Sequence, residues 1–174
     1  MEYLYHRVPK NMSGTVLYPL NRLKEIEPEV YNLHVKKYEG REKLLTTEIP
    51  PLKCLWNDVL HFTAVSPQEL KENLEKADLH YDPMAWFKVP IEMVVGDKSI
   101  VFTYRRDQNT IPNFKIYEKF NPSRMAVYRA VPTETIEYYK EKKLEATRPL
   151  LFHLVPHILY KGIIDVKDLE IITV

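Results

Sequence analysis

The hydrophobic pattern changes its period at residue 66, and this change organises the prediction for the whole chain. Five apolar residues form a short, nearly continuous run just before it: Val59, Leu60, Phe62, Ala64 and Val65. Such a run predicts a strand that is buried on both faces. Ser66 then offers an N-cap, and Pro67 occupies the first helical position, where its missing N–H costs nothing. We therefore expect a strand that leads directly into a helix.

The segment after Ser66 has the pattern of an amphipathic helix. Its apolar positions recur at helical spacing: Leu70, Leu74 and Ala77. Glu69 stands three residues after Ser66, where it completes a capping box. On the incoming strand, His61 and Thr63 are two residues apart, so their side chains should leave by the same face. The junction therefore combines an apolar strand with polar groups.

The first third of the chain contains one further strand and two helices in the prediction. Residues 2–8 alternate well enough for a first strand, which Pro9 ends. Residues 19–38 carry a helical pattern, and Pro28 within it should start a second helix. Residues 49–52 (IPPL) predict a rigid, extended connection into the strand at residue 59.

The second half of the chain is rich in strand patterns. Residues 85–95 and 99–105 predict a hairpin whose turn is Gly96-Asp97-Lys98. Residues 106–122 form a polar segment of about 15 residues, which is long for a plain connection and so favours a functional loop. Thr133 should cap a helix that runs to about Lys143.

Two last strands are predicted at residues 163–166 and 169–174. Strands and helices in mixed order favour an α+β fold with a bent, mostly antiparallel sheet and flanking helices. At 174 residues, the chain is expected to form a single domain over residues 1–174.

Composition narrows the functional classes. The net charge is +1, from 25 Lys and Arg against 24 Asp and Glu, and gives no argument for a polybasic surface. Cys54 is the single cysteine, which excludes an intramolecular disulfide and indicates a reducing compartment. Thirteen prolines against four glycines argue against a Gly-rich phosphate loop. No apolar stretch approaches the roughly 18 residues of a membrane span, so we expect a cytoplasmic protein without a membrane partner.

The histidines are the first candidates for chemistry. His153 and His157 have the spacing of a helical zinc pair, but Pro156 lies between them and no glutamate stands where a metalloprotease base would. We therefore expect no metal site. His61-Phe62-Thr63 resembles the first motif of two-histidine phosphoesterases, and residues 155–159 (VPHIL) resemble the second. This resemblance implies His61 and His157 as an acid and base pair, although Leu159 replaces the usual phosphate-binding hydroxyl.

A second resemblance covers about two-thirds of the chain and is one of order and spacing. Its features are Tyr5-His6, about 30 residues of helix, Arg41, an apolar strand ending in Ser66-Pro67, and an apolar strand leading to Val155-Pro156 and residues 161–166. This order resembles the DarT-type ADP-ribosyltransferase toxins and their relatives. The resemblance implies an ADP-ribosyltransferase-like fold, whose split sheet holds NAD as a substrate, and a nucleic acid or protein as acceptor.

The same resemblance implies roles for individual residues. His6 would contact the nicotinamide-side ribose, and Arg41 would hold a phosphate, since a guanidinium suits a pyrophosphate. Tyr38 could stack on the nicotinamide, while His61 and Thr63 would lie nearby on the central strand. The protein would thus bind a small nucleotide.

The chain departs from this family at the catalytic glutamate. The resemblance places that glutamate seven residues before Val155, where the chain has Arg148, and Glu145 is the nearest carboxylate. Either Glu145 is catalytic in a remodelled loop, or the scaffold is kept without transfer activity.

The third class is a binding or regulatory module without catalysis. The near-neutral charge of the chain and its 12 tyrosines favour an interaction surface. The three classes differ in simple distances. A transferase needs His6 and Arg41 at one cleft, a phosphoesterase needs His61 facing His157, and a binding module needs neither.

Overall fold

The strand-to-helix junction at residue 66 is present in the computed structural model, which describes residues 1–105 and 114–174. The strands are β1 (Tyr3–Arg7), β2 (Val16–Leu17), β3 (Glu48–Ile49), β4 (Cys54–Leu55), β5 (Leu60–Phe62), β6 (Ala85–Pro90), β7 (Ser99–Arg105), β8 (Phe114–Lys119), β9 (His157–Tyr160), β10 (Ile164–Asp165) and β11 (Glu170–Thr173). The α-helices are α1 (Leu20–Ile26), α2 (Pro28–Val35), α3 (Pro67–Lys76), α4 (Met125–Tyr128) and α5 (Thr133–Leu144). Short 3₁₀-helices include Lys36–Tyr38, Glu42–Thr46, Pro50–Leu52 and Trp56–Asp58.

Two antiparallel sheets form the frame of the domain. One has three strands in the order β1-β6-β11, and the other has four in the order β5-β9-β7-β8. The pairs β2–β10 and β3–β4 are separate two-stranded ladders. The strand pairs of the described chain are antiparallel, which confirms an α+β domain with antiparallel sheets.

The two sheets touch at one bridge between their edge strands. The backbone N–H of Tyr5 donates to the carbonyl of Thr63 over 2.8 Å, and the N–H of Thr63 donates back to Tyr5 over 3.1 Å. In the described part of the chain, no other ladder pair joins β1 to β5. The sheets therefore separate next to this bridge, and His6 and Phe62 lie one residue from it on either side.

One hydrophobic core is shared by both sheets. Leu4 and Val89 from the three-stranded sheet pack in the same cluster as Phe62 and Ile158 from the four-stranded sheet, and each is at most 1% exposed. Burial of apolar side chains in this shared cluster stabilises the position of one sheet relative to the other. The split next to the Tyr5–Thr63 bridge therefore lies beside a rigid core.

The predicted start signals of α3 and α2 are confirmed. The Oγ atom of Ser66 accepts a hydrogen bond from the N–H of Glu69 over 3.2 Å, and Pro67 is the first residue of α3. The predicted inner face of this helix is buried: Leu70, Leu74 and Ala77. Pro28 begins α2 after a break from α1, because proline has no N–H to continue α1 and its ring disfavours helical backbone at Glu27.

The predicted hairpin of residues 85–105 is wrong. β6 ends at Pro90 and pairs with β1 and β11, whereas β7 pairs with β8 and β9. Pro90 has no N–H for a ladder, and a 3₁₀ turn at Ile91–Met93 follows it. Both partners of β6 and one partner of β7 therefore come from distant parts of the chain, which local turn signals do not reveal.

Other boundaries also differ from the prediction. Residues 106–113 of the predicted functional loop lie outside the described residues, and Phe114–Lys119 is strand β8, so the loop prediction is wrong there. Residues 50–52 form a 3₁₀ turn rather than an extended connector; the φ angle that proline fixes suits both conformations, and only ψ distinguishes them. Pro132, not Thr133, is the N-cap of α5. Among the described residues, no helix has the length and hydropathy needed to span a bilayer.

Candidate functional site

His61 and His157 face each other on neighbouring strands. His61 pairs with Leu159 in the β5–β9 ladder, and His157 lies two residues from Leu159, so both histidines project from the same face. Their ring centroids are 6.5 Å apart, with the planes at 81°. The structure therefore brings together the two histidines that the phosphoesterase motifs singled out.

His6 joins this pair from the other sheet. Its ring lies 5.4 Å from that of Phe62 in an edge contact, next to the bridge between β1 and β5. It is also close enough to His61 to lower the pKa of that residue electrostatically. We call His6, His61 and His157 the histidine cluster. Its members come from three strands and from both sheets.

Aromatic side chains surround the histidine cluster. The indole ring of Trp56 lies 4.7 Å from the ring of His61 and 6.4 Å from that of His157. Phe102 stacks nearly parallel to His157 at 6.1 Å, and Phe152 contacts the same imidazole edge-on at 5.9 Å. This wall replaces water around the imidazoles with apolar groups, which disfavours their charged forms.

Burial keeps the histidine cluster neutral at physiological pH. It lowers the pKa of His6 to about 4 and that of His157 to about 4. The pKa of His61 falls to about 3, first because of burial and then because of the neighbouring His157. Each residue is only half-buried by exposed area, so part of its surface stays accessible although protein atoms crowd the ring. Neutral imidazoles can accept hydrogen bonds or take up a proton.

Backbone carbonyls determine the tautomers of His6 and His61. The Nδ1 atom of His6 lies 2.7 Å from the carbonyl oxygen of Arg7, and the Nε2 atom of His61 lies 2.9 Å from that of Trp56. Because a carbonyl only accepts, these two nitrogens must be the donors. By this assignment, the lone pairs are on Nε2 of His6 and Nδ1 of His61. Two hydrogen-bond acceptors of the site are thus defined.

Two cations lie beside the histidine cluster. The ammonium group of Lys37 lowers the pKa of both His6 and His61 by its positive charge, after the larger effect of burial. Nη2 of Arg41 donates to the backbone carbonyl of Lys37 over 2.7 Å. The predicted cofactor residues His6 and Arg41 are therefore both neighbours of Lys37.

Tyr38 is buried and stabilises the turn next to the histidine cluster. Only 6% of its surface is exposed, and its hydroxyl donates to Oδ1 of the buried Asn57 over 2.6 Å. Burial raises the pKa of Tyr38 to about 12. With so little ring surface available, its placement weighs against the predicted stacking on a nicotinamide ring. Its contact with Asn57 instead fixes the turn that carries Trp56.

Two further predicted residues do not face the histidine cluster. Thr63 is 2% exposed, and its Oγ1 atom accepts a hydrogen bond from the N–H of Val65 over 3.1 Å. Glu145 is an exposed residue at the C-terminal end of α5, and its carboxylate contacts Lys142 at 2.5 Å and Thr147 at 3.3 Å. None of these contacts leads to the cluster, so the catalytic role of Glu145 stays a prediction.

Lys37 and Trp56 are the residues that sequence reasoning missed. Lys37 belongs to a charged run that predicts a solvated turn, and its position beside two histidines depends on long-range packing. Trp56 precedes the apolar strand by three residues, and its aromatic side chain was the one available signal. Within the described ranges, no group of three or more His, Cys, Asp or Glu residues is arranged to hold a metal ion.

We expect Tyr38→Phe to lower the free energy of unfolding by about 1–3 kcal/mol, because Oδ1 of Asn57 stays buried without its donor. Urea denaturation followed by circular dichroism measures this change. Tyr3→Phe is the control, since the hydroxyl of Tyr3 forms its bond at an exposed position, and it should change stability by less than about 0.5 kcal/mol. Equal midpoints for the two variants would contradict the supporting role of Tyr38.

Comparisons of the chain with protein-family models, with curated proteins and with solved structures find no match in any of the three sets.

Proposed function

We propose that this domain has an ADP-ribosyltransferase-like architecture and binds NAD or a related nucleotide at the split between its two sheets. The observation that carries the proposal is the meeting of His6 and His61 where β1 and β5 separate, with Lys37 and Arg41 beside them. Neutral acceptors and neighbouring cations suit a ligand with both hydroxyl and phosphate groups.

The two defined lone pairs suit a ribose. A ribose hydroxyl can donate to Nε2 of His6 or to Nδ1 of His61, and neither nitrogen must first lose a proton at neutral pH. When the bond to nicotinamide breaks, positive charge develops on the ribose. Hydrogen-bond acceptors at its hydroxyls are stabilising at that stage, which is the condition for lowering the barrier.

The remaining parts of NAD have matching groups nearby. Arg41 offers a guanidinium fork that fits two phosphate oxygens. Trp56 supplies aromatic surface next to His61 for a planar ring, the role that the sequence prediction gave to Tyr38. Transfer of ADP-ribose additionally requires a carboxylate such as Glu145 to reach the ribose, so nucleotide binding is the first step to test.

Calorimetric titration of NAD into the purified protein tests the proposal. We expect micromolar binding that weakens at least about tenfold in Arg41→Ala, which corresponds to roughly 1.4 kcal/mol. Arg124→Ala is the matched control, because that arginine pairs with Glu118 and has no assigned contact with NAD, and it should bind within about twofold of the wild type. An absence of NAD binding to the wild type overturns the proposal.

Release of nicotinamide tests transfer separately from binding. We expect Glu145→Gln to bind NAD normally and to release nicotinamide more slowly, if Glu145 is the carboxylate that acts on the ribose. Equal rates for Glu145→Gln and the wild type would exclude that role.

A phosphoesterase is the second candidate, favoured by the 6.5 Å separation of the His61 and His157 rings. The general acid of such a pair must be protonated, whereas burial lowers the pKa of His61 to about 3 and that of His157 to about 4, so the pair suits this chemistry only at acidic pH. Such sites bind phosphate through a hydroxyl two residues after each histidine. Here Thr63 is buried, and Leu159, which is 0% exposed, replaces the second hydroxyl. Hydrolysis of cyclic and linear nucleotide phosphodiesters, lost in His157→Asn and in His61→Ala, would favour this function over the first.

A further inference from the structure

A second cleft of the domain is lined by residues of β7, β8, α4 and α5 and of the loop before β9. We call it the α5 cleft, after the helix that contributes four of its lining residues: Glu134, Glu137, Tyr138 and Glu141. Among the described residues, none of its lining side chains belongs to the histidine cluster. Its volume is about 600 Å³, within the range of roughly 300–1,000 Å³ that small-molecule sites occupy. Its size therefore suits a small organic ligand.

Two side chains of α5 tie this helix to the loop before β9. The Oγ1 atom of Thr135 donates to the carbonyl of His153 over 2.8 Å, and the hydroxyl of Tyr139 donates to the carbonyl of Leu151 over 2.5 Å. Both donor residues are 0% exposed, so breaking either bond would leave a buried polar group without a partner. The helix face that lines the α5 cleft is therefore held in one position relative to the loop.

Acidic side chains dominate the charged part of this lining. Glu134, Glu137 and Glu141 recur at helical spacing on one face of α5, and Glu118 of β8 adds a fourth carboxylate. Among the described lining residues, Arg124 is the one lysine or arginine. The whole chain has 25 Lys and Arg against 24 Asp and Glu, so this acidic excess is local. A cleft lined mainly by one sign of charge attracts a ligand of the opposite sign.

The α5 cleft already binds one cation of the protein itself. The guanidinium of Arg124 pairs with the carboxylate of Glu118 over 2.5 Å and lies 5.7 Å from the centroid of the Tyr128 ring. A carboxylate and an aromatic face together favour a cation. This pair accounts for Glu118, so the acidic excess comes from the three glutamates of α5. Lys142 of the same helix pairs with Glu145 and does not line the cleft.

The carboxylates of α5 are spread along the helix and lie beside aromatic rings. Glu134 and Glu141 are seven residues apart, which places them about 10.5 Å apart along the axis at a rise of about 1.5 Å per residue. His153 stacks on Tyr138 with 3.8 Å between ring centroids, and Tyr104 contacts His153 edge-on at 6.4 Å. No three His, Cys, Asp or Glu side chains of the described chain are arranged to hold a metal ion. The lining therefore matches an elongated organic cation with several separated charges.

We propose that the α5 cleft binds a free aliphatic polyamine, with its ammonium groups at Glu134, Glu137 and Glu141. Each contact is a charge-assisted hydrogen bond, and the spread of the carboxylates matches ammonium groups that methylene chains separate. Those methylenes leave water when they contact Val127, an apolar lining residue with 53% of its surface exposed. The site does not depend on the proposed function, because the same carboxylates repel the phosphates of NAD.

Calorimetric titration of spermidine tests this site. The wild type should bind spermidine, and the double variant Glu137→Gln/Glu141→Gln should bind at least about tenfold more weakly, because two charged acceptors become neutral amides. Glu25→Gln is the matched control, since it removes the same charge from an exposed helical position that does not line the cleft. It should bind within about twofold of the wild type. Thermal unfolding of each variant verifies that it is folded.

The imidazole C–H signals in NMR spectra locate the bound spermidine. We expect spermidine to shift the signal of His153, which lines the cleft, and to leave that of His80 unchanged. No binding by the wild type, equal affinity in Glu137→Gln/Glu141→Gln, or an unchanged His153 signal each overturns the site. Tighter binding of a trilysine peptide than of spermidine overturns a free polyamine as the ligand. Binding of NAD enters none of these outcomes, so the proposed function is tested separately.

Discussion

Replacing Phe62 by alanine is expected to lower the free energy of unfolding by about 3–5 kcal/mol, the usual range for a buried Phe→Ala change. Phe62 is 1% exposed and lies in the core that both sheets share. Its removal leaves a cavity beside the Tyr5–Thr63 bridge, where rigid strands on both sides limit collapse. A loss of this size is a large share of the stability of an ordinary domain.

Urea denaturation at pH 7 measures the Phe62→Ala effect. Val127→Ala is the control at an exposed apolar residue, where 53% of the surface is accessible, and it should change stability by less than about 0.5 kcal/mol. Phe62→Leu should recover more than half of the loss, because it fills most of the cavity. A loss below about 1 kcal/mol in Phe62→Ala would show that the two sheets do not share a tightly packed core there.

Acidification is the second change with a large expected effect. A histidine has a pKa near 6.5 in the unfolded chain, whereas burial lowers it to about 4 for His6 and His157 and about 3 for His61. Below pH 6.5 the unfolded chain therefore binds more protons than the folded one, and stability falls as pH falls. The stability that these neutral histidines contribute is fully present above pH 6.5 and is lost down to about pH 4 for His6 and His157 and down to about pH 3 for His61.

The expected loss between pH 6.5 and 4.5 is about 1 kcal/mol per histidine, after allowance for partial exposure, or about 3 kcal/mol in total. Urea midpoints at several pH values measure it. His61→Asn should flatten this dependence by about a third, because one of three groups no longer titrates. Constant wild-type stability across the window, or a wild-type slope in His61→Asn, would contradict neutral, buried histidines.

Local signals in the sequence predict the parts of the fold that local interactions determine. The cap at Ser66 and the helix start at Pro28 depend on hydrogen bonds and φ angles within a few residues, and both are present. The pairing of β6 and β7 depends on strands more than 50 residues away, such as β1 for β6 and β9 for β7. A turn signal at Gly96 carries no information about such partners.

The candidate site also combines residues that local motifs identify with residues that only long-range contacts place. His61 and His157 were identified by two short motifs, and the β5–β9 ladder then brought their rings together. Thr63 shares the motif with His61, but the bridge to Tyr5 lies at Thr63 and buries its side chain. Lys37 has no local signal, since the position of its 3₁₀-helix depends on long-range contacts such as the hydrogen bond from Tyr38 to Asn57. Contacts between distant segments therefore decide which predicted residues lie at the histidine cluster.

An NMR titration that follows the imidazole C–H signals during addition of NAD tests the central claim most directly. We expect NAD to shift the signals of His6, His61 and His157 together, with one saturation curve, and to leave the signal of His80 unchanged. The side chain of His80 is 84% exposed and pairs with Asp82. NAD binding that shifts none of the three cluster histidines would contradict a nucleotide site at the split between the sheets.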